Sequence, residues 1–466
     1  QQPSRHPGFD IPLPAPRSPP LLEAVQPALL GHGWHGPVRL TVPWPSAPGP
    51  PPVLLPDIQS AANPYANKTI YLFFGGFLIA TAIQKWGLHK RIALFVLENA
   101  GSNGASLILG FMITAAVISM WVMNTATTIM LLPIGLAVIT VVKETVRGLS
   151  YKETENFQLA LLLGIAYGAT IGGMSTLIGT GPNGMLAAFM ADNYGLEISF
   201  VDWMKVGVPL SVVMLPACWV ILTRIIYPVK FQTSQETTDL LSSMKNDLGD
   251  LKGPEMKILI VFVFTALAWM FRTVLDDIPF LNGLSDSGIA MISALFLFLL
   301  PSGHKEKKGA LLEWDDAQKN VPWGLLVLFG GGLSLANAVQ STGLAIWMGN
   351  LIPQGISLVL IVILVVTLII FLTELTSNMA TTATFLPVVA AIAIQSEFNP
   401  LLVTAAVALA ASCAFMLPVA TLPNAIVFGS GLIKVPQMAK AGFLLNILAI
   451  IIVSFIAVVS VPYFLL

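Results

Sequence analysis

Long apolar stretches separated by short polar loops fill most of this chain, from Thr69 to the C-terminus. Six of them predict single membrane spans, at 69–86, 205–228, 256–275, 287–300, 323–350 and 441–464. Two longer stretches, 158–193 and 401–433, are each interrupted by a cluster of glycine and proline. Blocks 106–142 and 357–396 are too long for one crossing, and a polar cluster splits each. The pattern predicts an all-α polytopic membrane protein with two broken transmembrane helices and two re-entrant helical hairpins.

The composition agrees with a membrane location. The 466 residues are 55% hydrophobic and 10% charged, whereas soluble domains carry roughly 25% charged residues. Residues 1–56 differ from the rest, because they hold 16 of the 33 prolines and contain no stretch of membrane length. We interpret them as an anomalous tail, either a disordered Pro-rich segment or an artefact of the gene model. A net charge of −1 gives no sign of nucleic-acid binding.

Basic residues predict how the helices are oriented, because loops rich in Lys and Arg face the cytoplasm. Five loops are placed on the cytoplasmic side, and together they hold 16 basic residues. These loops are 85–104, 143–157, 229–257, 301–322 and 434–440. This bias requires both long blocks to be hairpins, since a single crossing by either block would invert every later loop. The predicted location is a cell membrane crossed several times, with a bacterial inner membrane as the expected compartment.

The chain also resembles itself at an offset of about 250 residues. The matches, in the same order in both halves, are 75–88 with 331–344, 124–128 with 378–382, and 180–183 with 421–424. We predict a first inverted-repeat half at 57–228, connecting loops and two scaffold spans at 229–322, and a second inverted-repeat half at 323–466. In such proteins, substrate and ion sites lie near the membrane midplane, where discontinuous helices of both halves meet.

Matched clusters of Asn, Ser and Thr stand at the predicted breaks. Unwound backbone there exposes carbonyl oxygens, which suit hard cations, and helix N-termini point N–H groups at anions. No Lys or Arg occurs in 105–142, 158–204 or 357–433, so an anion would be held by neutral dipoles and co-bound cations. The alternative is that these side chains only cap or join helices. Glu374, the one acid deep in these segments, is expected to bond loose backbone at a hairpin tip rather than carry protons.

These motifs resemble the divalent-anion:sodium symporter (DASS) family from about Ala61 to the C-terminus. The stretches that carry the resemblance are 74–77, 87–91, 119–127, 373–381 and 412–427, and the last of them fits the family signature closely. The resemblance implies a homodimeric, elevator-type symporter of small dianions, with sodium ions as co-transported cargo. C4-dicarboxylates such as succinate, malate or fumarate are the expected substrates. The substrate-binding residues it implies are Asn124, Thr125, Ser377, Asn378 and Thr421. The sodium ligands it implies are Ser119, Met123, Asn124, Gly172, Thr373, Thr376, Asn378 and Ala420.

Two departures from the family pattern keep other functions open. Met123 and Met379 each stand where the family's Ser-Asn-Thr motifs carry a hydroxyl residue. A sodium-independent or proton-coupled dicarboxylate exchanger, with Glu374 as proton carrier, is therefore an alternative, as is a citrate or sulfate carrier of the same fold. A passive anion channel would need a continuous basic or polar pore. An enzyme would need a nucleophile–base pair or a metal cluster, and neither is apparent in the membrane segments.

Overall fold

The computed structural model describes residues 57–99, 101, 103–303, 309–350 and 355–465, so the predicted tail 1–56 lies outside the described residues. Apart from two isolated β-bridges, the regular structure of the described residues is helical. The helices are α1 (Ile58–Ala62), α2 (Lys68–Lys85), α3 (Leu88–Glu98), α4 (Gly104–Ser119), α5 (Asn124–Thr145), α6 (Tyr151–Gly173), α7 (Gly181–Tyr194), α8 (Phe200–Val220), α9 (Gln235–Asn246), α10 (Gly253–Met270), α11 (Arg272–Asp276), α12 (Asp286–Leu299), α13 (Trp314–Asn320), α14 (Trp323–Ser341), α15 (Leu344–Gly349), α16 (Leu358–Thr373), α17 (Asn378–Gln395), α18 (Pro400–Ala411), α19 (Leu422–Phe428) and α20 (Val435–Leu465). A 3₁₀ turn (Asn63–Ala66) precedes α2, and a π-helical turn (Ile221–Ile226) extends α8.

Seven of the described helices are long and apolar enough to cross a membrane, and an eighth span results if the bent pair Ile58–Ala66 and Lys68–Lys85 is counted. The seven are α5, α6, α8 with its π-helical extension, α10, α14, α17 and α20. The prediction of an all-α multi-pass membrane protein is confirmed.

Two predicted single spans each divide in the structure. The segment 256–275 is interrupted at Phe271, between α10 and α11. The segment 323–350 was expected to be a single helix, but it divides into α14 and α15. The chain turns at Gly343, whose φ of 77° lies in the left-handed region that favours glycine. Gly87 has a φ of 78° where α2 gives way to α3, so the repeat recurs in backbone conformation as well as in sequence. The C-terminal helix also begins earlier than predicted, at Val435.

Both long blocks divide where the polar clusters stand. Residues 120–123, the first tip, separate α4 from α5, and residues 374–377, the second tip, separate α16 from α17. The glycine contacts that fix the directions of α4 and α5 along α6 are Gly164 with Met112, Gly172 with Ala116, Gly135 with Ile165, and Gly173 with Asn124. Going along α4 towards its C-terminus, the contacted residues of α6 also come later in the chain, so α4 runs parallel to α6. Going along α5, the contacted residues of α6 come earlier, so α5 runs antiparallel to α6. The two helices are therefore antiparallel and form a hairpin.

The two broken helices lie at the centre of the fold. Residues 174–180, the first break, separate α6 from α7, and residues 412–421, the second break, separate α18 from α19. The membrane-length window of α6 is completely buried, and α18 is buried from Leu401 to Ala411. The hairpin helices α4 and α5 pack on α6, while α16 and α17 pack on α18. Each hairpin thus rests on the broken helix of its own half.

Candidate binding site at the helix breaks

The two tips are built by the same hydrogen bonds. Ser119 Oγ donates to Asn124 Oδ1 at the first tip, and Thr373 Oγ1 donates to Asn378 Oδ1 over 2.7 Å at the second. One turn into each following helix, a threonine hydroxyl donates to the backbone carbonyl of that asparagine. Each asparagine side chain is therefore held at the start of its helix by a hydroxyl five residues earlier.

The two breaks are also built alike. Asn183 Nδ2 donates to the carbonyls of Met174 and Thr176, at 3.3 and 2.8 Å. The matching Asn424 Nδ2 donates to the carbonyls of Ala414 and Leu417 within the second break, at 3.2 and 3.0 Å. Both asparagines are fully buried. Each amide therefore braces a non-helical turn whose carbonyls would otherwise lack partners.

The breaks of the two halves touch each other. Thr180 Oγ1 lies 3.4 Å from Ser412 Oγ, and Cys413 Sγ lies 3.7 Å from Met174 Sδ. The phenol of Tyr167, on α6, donates across the halves to the carbonyl of Phe415 over 2.7 Å. Unwound backbone from both halves therefore meets in one region of the protein core.

Each tip is bonded to the broken helix beneath it. Thr176 Oγ1 donates to the carbonyl of Met120 over 2.6 Å, and Thr373 Oγ1 lies 3.0 Å from the carbonyl oxygen of Ala411, which shares its single proton with Asn378. The contacts therefore run from the first tip through both breaks to the second tip. This region collects oxygen donors, backbone N–H groups and helix N-termini, which can hold small cations and an anion together.

Glu374 joins the second tip to the second break. Its carboxylate accepts hydrogen bonds from the backbone N–H groups of Phe415, Met416 and Leu417, at 2.8, 2.9 and 3.0 Å. It also accepts from Asn446 Nδ2 at 2.8 Å, and its side chain is buried. A carboxylate with this many donors is a satisfied buried charge that fixes unwound backbone. Glu374 was expected to bond loose backbone at the hairpin tip; it does bond unwound backbone, but that backbone belongs to the second break.

The comparison with protein families decides the classification. The family described as the sodium:sulfate symporter transmembrane region matches residues 47–464. The chain belongs to this family. Membership confirms the family expected from the sequence, and it makes the chain a transporter rather than an enzyme.

Individual relatives agree with this membership. The sodium-dependent dicarboxylate transporter SdcS of Staphylococcus saprophyticus is 40% identical over 421 residues, which cover 88% of this chain and 81% of that protein. SdcS of Staphylococcus aureus strain USA300 is 38% identical over 423 residues, with the same coverage of both chains.

Solved structures share the fold at low identity. The YdaH transporter of Alcanivorax borkumensis has a TM-score of 0.53 and 13% identity, covering 86% of this chain and 85% of that one. MtrF of Neisseria gonorrhoeae has a TM-score of 0.55 and 12% identity, covering 85% and 83%.

The residues that the sequence singled out in this symporter-family chain are distributed along the two tips and breaks. Ser119, Asn124, Thr373 and Asn378 make the tip bonds described above, and Thr421 caps α19 by accepting from the backbone N–H of Asn424. The three positions predicted to supply backbone oxygen are Met123 in the first tip, Ala420 in the second break and Gly172 in the last turn of α6. Ser377 is exposed and its side chain makes no cap bond, while Thr125 is partly exposed, so both hydroxyls are free of helix capping.

The second tip contains a hydroxyl pair that the first tip lacks. Thr376 Oγ1 lies 2.7 Å from Thr381 Oγ1. At the matching positions of the first half stand Val122 and Thr127, and the buried Thr127 hydroxyl has no hydrogen-bond partner among the described residues. Other buried oxygens without a partner in the same part of the chain are Thr170 Oγ1, Asn183 Oδ1 and Asn424 Oδ1. The region therefore contains buried, uncharged oxygen atoms that make no hydrogen bond within the described residues and could bind a cation.

Three contributors were missed by sequence reasoning. Asn446 lies in the apolar helix α20 and donates a hydrogen bond to Glu374. A polar asparagine within a membrane-length helix is the feature of the sequence that could have indicated this role. Asn183 and Asn424 were noticed as part of the repeat but were not assigned a role. Their bracing bonds depend on how each break folds back on the following helix, which the sequence pattern does not reveal.

Proposed function

We propose that this chain is a sodium-coupled symporter of small dicarboxylates, with C4 acids such as succinate, malate and fumarate as substrates. The observation that carries this proposal is a cluster of uncharged oxygen and N–H donors at the tips and breaks of a chain 40% identical to a sodium-dependent dicarboxylate transporter. Because 105–142, 158–204 and 357–433 contain no Lys or Arg, the anion needs co-bound cations for charge balance.

Each tip supplies the donors for one sodium ion in this proposal. The first ion would use Ser119, Asn124 and the carbonyls of Met123 and Gly172. The Gly172 carbonyl accepts from the N–H of Ser175 at 3.0 Å and is also a partner of the Met174 N–H, so a sodium ion would share this oxygen with them. The second ion would use the oxygens of Thr373, Thr376, Asn378 and Ala420.

The dicarboxylate would lie between the tips, in contact with Asn124, Thr125, Ser377, Asn378 and Thr421. The N-termini of α5, α17 and α19 begin at these residues and can direct N–H groups at its carboxylates. Transport would follow an elevator-type movement of the hairpins and broken helices against the remaining helices, in a homodimer. The two halves would be inverted repeats, as their matched tips and breaks suggest.

Uptake into proteoliposomes tests this function. Radiolabelled succinate should accumulate under an inward sodium gradient, and replacement of sodium by potassium should abolish the uptake. Unlabelled malate and fumarate should compete, whereas citrate and sulfate should compete weakly. Liposomes that contain the Asn124→Ala/Asn378→Ala variant provide the background. Sodium-independent uptake of succinate would contradict the proposal.

The second candidate is a carrier of sulfate or citrate, or an exchanger. Sulfate and citrate are included in the competition assay because the family's description names sulfate. Uptake driven equally well by preloaded dicarboxylate, without sodium, would favour the exchanger. Proton coupling through Glu374 is disfavoured by its bonding, because its oxygens already accept bonds from fixed N–H donors.

The described residues contain one histidine, His89, as another possible proton carrier. Burial lowers the pKa of His89 to about 4, so the side chain is neutral at physiological pH.

A further inference from the structure

The side chain of Met379 does not lie on the surface of the second tip. It is 4% exposed and rests on Gly181, the first residue of α7. A Cβ added at Gly181 would lie 2.2 Å from Met379 Sδ, 3.1 Å from its Cγ and 3.3 Å from its Cε. The thioether therefore occupies the volume that a side chain at position 181 would take.

The sizes of the two residues are exchanged in the other half of the repeat. There Leu422 is the first residue of α19 and corresponds to Gly181, and Thr125 on α5 corresponds to Met379. Helix α19 packs against α5, as α7 packs against α17. A large residue on the hairpin is thus packed on glycine of the broken helix, while at the corresponding positions of the other half stand a small residue and a leucine that is 62% exposed.

We propose that Gly181 and Met379 are a size-matched positioning pair that sets how closely the second tip approaches the start of α7, and thereby the width of the substrate site. The proposal rests on the proposed function, since Asn378 and Thr180 flank the pair along the chain. Met379 acts through the position of the tip and not through contact with the substrate.

The test is a double-mutant cycle that copies the arrangement of the other half. Gly181→Leu alone should raise the KM for succinate at least tenfold, because the leucine side chain displaces the tip. Met379→Thr alone should change KM less. The combined Gly181→Leu/Met379→Thr variant should return to within about threefold of Met379→Thr. Leucine itself is compatible with this position, as it precedes a proline at Leu422 in the same helix-start context.

The matched control combines Gly181→Leu with Met185→Thr. Met185 is buried one turn further along α7, but its thioether lies against Gly332, so this change should rescue nothing. If Gly181→Leu does not fold, Gly181→Ala with Met379→Ala provides the same cycle at smaller volume.

Thermal stability in detergent is measured on the same variants. Coupling in both stability and KM supports the proposal. Coupling in stability with an unchanged KM would make the pair merely structural, and an absence of coupling would overturn it. If the unmodified protein transports no dicarboxylate, the proposed function fails. The pair is then judged by the same cycle on the solute that the protein does carry.

Discussion

At the residue scale, Glu374 shows how a charge is kept inside an apolar segment. The carboxylate is bonded by consecutive backbone N–H groups of the second break and by Asn446. The sequence predicts that Glu374 bonds loose backbone, because a carboxylate in an apolar segment needs hydrogen-bond donors and a nearby helix break supplies free N–H groups. It could not identify the donors, since these lie about 40 and 70 residues further along the chain.

Replacing Glu374 by Gln should destabilise the protein by about 3 kcal/mol, because charge-assisted bonds are lost and an amide NH₂ then faces backbone donors. Transport should fall to near background, since the second break is no longer fixed. Thermal unfolding and succinate uptake of purified protein measure the two effects. Glu144→Gln, on the exposed end of α5, is the control and should resemble the unmodified protein. Equal stability of the two variants would contradict the bracing role.

The methionines mark the limit of inference from residue identity. In the sequence, Met123 and Met379 are equivalent departures, since each stands where the family's motifs carry a hydroxyl residue. The structure buries Met379 against Gly181, whereas Met123 is partly exposed at the start of α5. The difference depends on a glycine almost 200 residues away in the chain, so it becomes visible only after the halves are packed together.

At the element scale, the tips and breaks could be predicted because their signals are local. Polar clusters inside apolar blocks and Gly/Pro clusters inside long spans mark the ends of helices, and the structure ends helices there. The division of 323–350 was missed, although Gly343 had been matched to Gly87. Glycine is common within membrane helices, so its left-handed conformation is not evident from the sequence.

Removal of either tip asparagine tests the proposed ion sites. Asn124→Ala and Asn378→Ala should each abolish sodium-dependent uptake, because each change removes an oxygen donor and releases the hydroxyl that holds it. Thr180→Ala is the control within the same region and should have a smaller effect, since its hydroxyl makes one long contact at 3.4 Å. Uptake assays over a range of sodium concentrations measure the response. Near-normal sodium dependence in either asparagine variant would show that the site is wrongly assigned.

The bracing asparagines of the breaks give a separate prediction. Asn183→Asp and Asn424→Asp should each cost at least about 3 kcal/mol of stability, because a buried carboxylate would face two carbonyl oxygens. Asn320→Asp, at the exposed end of α13, should be close to neutral. Thermal unfolding in detergent compares the three. A small effect at one break and a large effect at the other would mean that the breaks are not equivalent.

At the scale of the whole molecule, the fold class could be predicted more completely than the arrangement of the halves. Hydropathy and helix length decide that the chain is a multi-pass helical protein, because an apolar segment in lipid has few other ways to satisfy its backbone. The inverted relation of the halves stays a prediction. The hydrogen bonds that recur at tips and breaks are compatible with it, but local bonding does not fix the direction of each half relative to a membrane.

The charge of the whole transport site leads to the last prediction. A dianion that enters a cell against an inside-negative potential is opposed by about 2.3 kcal/mol per charge per 100 mV, or about 4.6 kcal/mol in all. The tips and breaks contain no Lys or Arg to offset this cost. Two sodium ions would cancel the charge of the dianion, and three would make the cargo net positive, so that the potential would pull it inward. The Glu374 carboxylate adds one negative charge to the loaded and the empty site alike.

We therefore expect at least two sodium ions to move with each dicarboxylate in a concentrating importer. Uptake should rise sigmoidally with sodium concentration, because one ion alone leaves the loaded site negative and opposed by the potential. Setting the membrane potential with potassium and valinomycin separates the stoichiometries. With two ions the complete transport cycle moves no net charge, and with three it moves one positive charge inward and should accelerate as the inside becomes more negative. A hyperbolic sodium dependence would argue for a single coupled ion, and full uptake without sodium would favour the exchanger.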